Sequence, residues 1–260
     1  MFRLLRLFTG CAAILCLMAC NGIFDDVYDD PVSEEVKPVE GELFIDASSW
    51  TAWYYVSFDS LQQYIEKGDT AGLIYAQTHF TPYTIELDST GTGDATVQAP
   101  GIYTYWFDVF GKGMSNYQLR SYRTTKPQAE PAEWDIAFHR QNVRTNGATV
   151  LETNYTSFDE LPASSAMFTG ATFTGDEWSE RDVWADSRKM LLGLMGCQGI
   201  NINKPLSSML QFNFPPSYVL NNHIFLVKLK NGNMAAMQLV NYMNAAGQTC
   251  RLTINYKYPY

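Results

Sequence analysis

The chain has 260 residues, with 18 Lys and Arg against 27 Asp and Glu, for a net charge of −9 at pH 7. That balance excludes a general attraction for nucleic acid, whose binding rests on Lys and Arg against phosphate. Aromatic residues make up 14% of the chain, and many stand in short alternating runs, the pattern of sheets that bury one face.

Arg3 and Arg6 precede a mainly apolar run, Leu7 to Ala19. A membrane span needs about 20 apolar residues, so the run reads as the apolar region of a secretory signal peptide over residues 1–19. It ends Leu17-Met18-Ala19-Cys20, which resembles the lipobox of bacterial lipoproteins. That resemblance makes Cys20 the first mature residue and the site of lipidation, and the lipid an anchor to the membrane. The leader carries Arg3 and Arg6 and no acid, so its removal leaves a still more acidic chain. Residues 20–40 hold Asp25, Asp26, Asp29, Asp30, Glu34 and Glu35 with Pro31 and Pro38. Such a segment repels itself and forms no core, which makes it an extended tether. Its acids are either a solvated spacer or, by resemblance, the sorting signal that sends lipoproteins to the outer face of the outer membrane.

Residues 41–260 then form one domain. Leu43-Phe44-Ile45 and Trp53 to Phe58 read as strands, with Asp46-Ala47-Ser48-Ser49 opening a turn between them. Leu61 to Lys67 is a short helix, and Asp88 to Ala95 a loop. Ile102 to Val109 and Tyr117 to Tyr122 flank Phe110-Gly111-Lys112-Gly113-Met114 as a hairpin. Its aromatics either extend the core or, if exposed, stack on sugars or a partner protein; burial is the preferred reading. Thr125 to Pro131 is a connector. In Trp134 to His139, strand alternation puts Trp134, Ile136 and Phe138 on one face and Asp135, Ala137 and His139 on the other. Asp135 is thereby a hydrogen-bond partner for His139. Asn146-Gly147, between Val143 and Val150, is a hairpin turn. Asp159-Glu160 and Trp178 to Asp186 read as acidic and less regular. His223 to Leu229, a turn at Lys230 to Asn233, Met234 to Met243 and Arg251 to Tyr258 close a sheet. The fold class is all-β, mainly antiparallel, with minor helix.

No GxSxG, HExxH, P-loop or CxxC occurs, and His79, His139 and His223 are far apart, so an enzyme is not expected. Besides Cys20, only Cys197 and Cys250 remain after the leader. In an oxidising compartment they form a disulfide, or they are two buried small apolar residues.

An ordered set of segments carries a resemblance over nearly all of the mature domain. It comprises Ile45 to Ser49 with Trp53 to Phe58, Trp134-Asp135-Ile136-Ala137-Phe138-His139-Arg140 running into Arg144-Thr145-Asn146-Gly147, and Tyr218 to Phe225. Lys230-Asn231-Gly232, Gln238 to Tyr242 and Leu252 to Pro259 complete it. The chain resembles the HmuY family of haem-binding surface lipoproteins, with residues 61–131 as an insertion. The resemblance implies a hand-like β fold in which two hairpin fingers grip one haem b, its iron held by two histidines or two methionines, and delivery to an outer-membrane haem receptor. Both imidazole and thioether are axial ligands for haem iron.

The ligand-bearing segments map to about Asp186–Ile200 and Met209–Pro216. The first holds Met190 and Met195, either of which is a thioether ligand or a core filler. In the second, Phe214 stands where relatives place a ligand, and phenylalanine cannot bind iron. Met209 is the nearest thioether and aligns better with a packing position. Phe212, Phe214, Met190 and Met195 form an apolar cleft suited to a porphyrin. The three histidines read as structural. The alternative function is a surface module for a glycan or protein ligand that has lost haem coordination.

Overall fold

Strand β1, Glu42–Asp46, pairs antiparallel with the C-terminal strand β15, Thr249–Lys257, in the register Leu43↔Ile254 and Ile45↔Leu252. The computed structural model describes residues 41–87, 102–108, 119–124, 126–186, 194–213 and 217–260, all within one unit spanning Lys37–Tyr260. Residues 1–40, with Cys20 and the acidic tether, lie outside the described residues, as does the loop expected at Asp88–Ala95. Among the described residues, the architecture is four antiparallel sheets and three short helices, which is the expected mainly antiparallel β fold.

The first sheet runs β1-β15-β14-β13-β8, where β8 is Thr149–Glu152, β13 is Phe225–Lys228 and β14 is Met234–Met243. Along β15 every second residue is buried: Cys250, Leu252, Ile254 and Tyr256. That period of two turns one face into the main core, where each fully buried Leu or Ile contributes about 1.5–3 kcal/mol. The turn at Gly232, with φ of +90°, returns β13 to β14 as expected.

The second sheet is β3-β2-β6-β7, formed by β2 (Ala52–Val56), β3 (Pro82–Thr84), β6 (Ile136–His139) and β7 (Asn142–Thr145). All four residues of β6 are buried, because this sheet is covered on both faces. Ile136 and Phe138 enter the main core with Val56 and Val143. Ala137 enters a second cluster with Trp53, Val183 and Ile200. Trp134 precedes the strand and joins that second cluster, not the face of Ile136 and Phe138.

Asn146-Gly147 is a turn, with Gly147 at φ +74°, but it is not a hairpin. The strand before it pairs with β6 and the strand after it pairs with β13, so the turn carries the chain from one sheet to another. The tight hairpin is β6–β7, which reverses at Arg140, itself at φ +55°. Trp178 to Asp186, expected to be irregular, lies in a ten-residue strand, β9, Glu177–Asp186. Its charged side chains obscure the pattern because β9 is a sheet edge with two register shifts against its neighbour.

Helix α1, Phe58–Glu66, begins where a strand was expected to end. Ser57 accepts the Ser60 amide, and Asp135 Oδ2 accepts the Phe58 amide at 2.7 Å, satisfying two of the free donors of a helix N-terminus. Asp135 therefore caps this helix and does not pair with His139. Helix α2, Thr70–Thr78, was not expected, since Thr70 to Thr78 shows no apolar stripe. Its one sequence signal is Asp69, which accepts the Gly72 amide at 2.9 Å. Helix α3, Lys204–Ser207, is a single turn capped by Asn203.

Candidate functional site

β9 and β10, Leu194–Ile202, form an antiparallel hairpin with register Gly196↔Asp186 and Ile202↔Glu177. β11, Leu210–Asn213, and β12, Ser217–Leu220, form a second, with Phe212 opposite Tyr218. The two segments mapped for ligands therefore take in strands of two antiparallel pairs and the residues that connect them. Residues 187–193 and 214–216, with Met190 and Phe214, lie outside the described residues.

The first hairpin is widened by the expected aromatic hairpin within residues 61–131. β4, Tyr103–Asp108, pairs with β5, Leu119–Arg123, and on its other side with β10, in the order β5-β4-β10-β9. Tyr103 and Tyr105 are buried with Cys197, and Trp178 and Trp184 pack against them, so these rings extend the core. Gly199 makes that closeness feasible. A Cβ there would sit 2.3 Å from a Tyr105 ring carbon and 3.0 Å from Trp178.

Met195, opposite Phe107 on β10, is 4% exposed. Met209 is 3% exposed and packs in the main core with Leu206 and Leu210. Both thioethers are buried. Cys197 and Cys250 are free thiols, buried in different clusters. The disulfide is thus corrected to the second reading, two small apolar residues. Burial pushes the Cys197 thiol up, which keeps it protonated.

The histidines are engaged by the protein. His139 is fully buried, with Nδ1 3.0 Å from the Ala52 carbonyl and Nε2 3.2 Å from that of Trp184. Desolvation lowers its pKa to about 4. His223 meets Glu152 at 2.8 Å, and His79 stacks on Tyr75 with ring centroids 4.2 Å apart. No cluster of three or more His, Cys, Asp or Glu side chains suited to a metal occurs among the described residues.

One constellation was not predicted. The Arg144 guanidinium lies 4.8 Å from the Trp134 ring centroid, 5.1 Å from Trp53 and 5.4 Å from Tyr55. Its Nη2 donates to Glu130 and to the Tyr55 hydroxyl. Tyr55 donates onward to the Ala129 carbonyl and is pushed up to about 12 by burial. Strand alternation had placed Trp134 with Ile136 and Phe138, and Arg144 stood only within a segment of the family pattern. Their meeting depends on β7 and the approach to β6 lying side by side.

The family model described as HmuY protein matches residues 49–256. A solved structure from Bacteroides vulgatus, described as HmuY-like and haem-binding, is 29% identical with a TM-score of 0.55, covering 84% of this chain and 91% of that one. A structure described as a lipoprotein from Bacteroides fragilis is 25% identical with a TM-score of 0.52, covering 86% and 93%. The apo HmuY analogue of Tannerella forsythia shares the fold at 17% identity and a TM-score of 0.57, covering 86% and 97%. No curated protein matches.

Proposed function

The chain belongs to the HmuY family, and on that premise we propose that it is a lipid-anchored surface protein that binds haem b between its two hairpins and passes it to an outer-membrane receptor. The observation that carries the reading is the placement of both ligand-mapped segments at hairpins, β9–β10 and β11–β12. Segments that connect paired strands are positioned by a rigid scaffold and commonly carry binding residues. The comparison structure described as haem-binding supports the ligand class.

Burial of Met195 and Met209 leaves Met190 as the thioether for iron. Thioether ligation raises the reduction potential of haem iron, so the ferrous form should bind at least as well as the ferric. Phe212 and Phe214 are the apolar contribution of the second hairpin, and no catalytic group is required. Attachment through Cys20 and display on the outer membrane are part of the same proposal. They are supported by the lipobox-like sequence and by the relative described as a lipoprotein.

The test is a titration of the purified protein with ferric and with ferrous haem, read at the Soret band. A saturable shift that Met190→Ala removes and Met195→Ala leaves is the expected result. Absence of a saturable change in both redox states would end the haem reading. Cys20→Ala should move the protein out of the membrane fraction.

A further inference from the structure

A cavity of about 560 Å³ opens where the ends of β7 and β10 meet the starts of β8 and β9. Its size lies within the range of small-molecule sites, about 300–1,000 Å³. Trp134, Trp178, Arg144, Asp176, Thr149 and Asn201 are among its lining residues, and it shares none with the two hairpin turns.

Both indoles are fixed in advance. Trp134 is held edge-on by Tyr55 at 5.0 Å and by the Arg144 guanidinium. Trp178 is held edge-on by Tyr103 at 5.7 Å and rests over Gly199. The polar groups are fixed too. Asp176 accepts the Thr145 amide and hydroxyl, each at 2.8 Å, and the Asn203 amide at 3.1 Å. The Arg144 side chain is 8% exposed, and its Nε is buried with no hydrogen-bond partner.

Charge selects the ligand class. Glu130 already pairs with Arg144, and Asp176 adds a further acid, so the described lining offers no excess positive charge to a phosphate or carboxylate. What it offers is two flat apolar rings beside one acceptor, Asp176, and the Asn201 amide and Thr149 hydroxyl, which donate and accept. A saccharide matches that set. Its hydroxyls donate and accept, and its C–H faces lie against indole. We propose that this cavity binds the end of a neutral oligosaccharide, at a site separate from the haem-binding hairpins. The inference does not rest on the haem reading.

The test applies the purified protein to an array of immobilised neutral and acidic oligosaccharides. Calorimetry and tryptophan fluorescence are then run with each oligosaccharide that binds. Saturable binding of at least one neutral oligosaccharide is expected, weakened at least tenfold by Trp178→Ala and by Asn201→Ala. Asn201 is exposed at the cavity mouth, so Asn201→Ala decides the matter if Trp178→Ala fails to fold. The proposal is overturned if no neutral oligosaccharide binds, if only acidic ones do, or if Asn201→Ala binds as tightly as the parent.

Discussion

Trp53 donates its indole N–H to Gln198 Oε1 at 2.9 Å, joining strand β2 of the scaffold to strand β10 of the widened hairpin across 145 positions of sequence. Gln198 in turn donates to Gln128 Oε1 at 2.8 Å, and Gln128 donates to the Thr84 and Ala129 carbonyls, each at 3.0 Å. The three side chains of the relay are buried, with Trp53 and Gln198 at 0% exposure, and its far end reaches the exposed residues Thr84 and Ala129. It satisfies every polar group it brings inside, which is the condition under which a buried polar chain stabilises.

Replacing Gln198 with Leu strands the Trp53 N–H and the Gln128 Oε1 together. The expected loss is about 2 kcal/mol or more, because each unmatched buried group costs about 1–3 kcal/mol. Urea unfolding measures it. In a Trp53→Phe background the same substitution should cost less, and equal costs in the two backgrounds would mean that no such coupling exists.

The pH profile should carry the signature of His139. Its pKa in the folded protein is about 4, against about 6.5 for the unfolded chain. The folded state favours the neutral ring, so this contribution is complete above about pH 6.5. It is lost as pH falls toward 4, where the unfolded chain binds the extra proton and the folded one does not. The shift corresponds to stability on the order of 3 kcal/mol. Asp135 and Asp176, both raised by burial, titrate with the opposite sign in parent and variant alike. The difference between the parent and His139→Gln therefore isolates the histidine, and a difference that does not vary between pH 7 and 4 would refute the assignment.

Cys197 and Cys250 should resist alkylation in the native protein and react fully after unfolding without reductant. Peptide mapping checks both. A cross-linked peptide containing the two residues would contradict the free thiols of the structure.

Gly199→Ala places a methyl group 2.3 Å from Tyr105 and 3.0 Å from Trp178, both fixed by buried neighbours. Overpacking of this kind costs about 1–3 kcal/mol, and thermal unfolding should show a lowered Tm. An unchanged Tm would mean that the rings have room to move.

Local pattern carried much of this architecture. Alternation in Thr249–Lys257 is the direct consequence of one face meeting the core, so that strand is readable from side-chain type alone. The cap at Asp69 was readable too, but Thr70–Thr78 has no apolar stripe to confirm a helix. Trp178–Asp186 misled because an edge strand tolerates charge on its open side. The Asn146-Gly147 turn was real, while its meaning depended on which strands its two arms would join.

That distinction marks the boundary for the whole protein. Residue order alone determined the antiparallel β class, the hairpin around residues 109–118, and the family pattern running from the IDASS and WDIAFHR segments to the C-terminus, because these follow from short-range periodicity and turn chemistry. Tertiary structure alone decided that the Cys197 and Cys250 thiols stay apart, that Met195 and Met209 face inward, and that Arg144 meets Trp134 beside Asp176 and Trp178. Each of those depends on which sheet a strand enters, and strand pairing is a long-range choice that no local sequence window encodes.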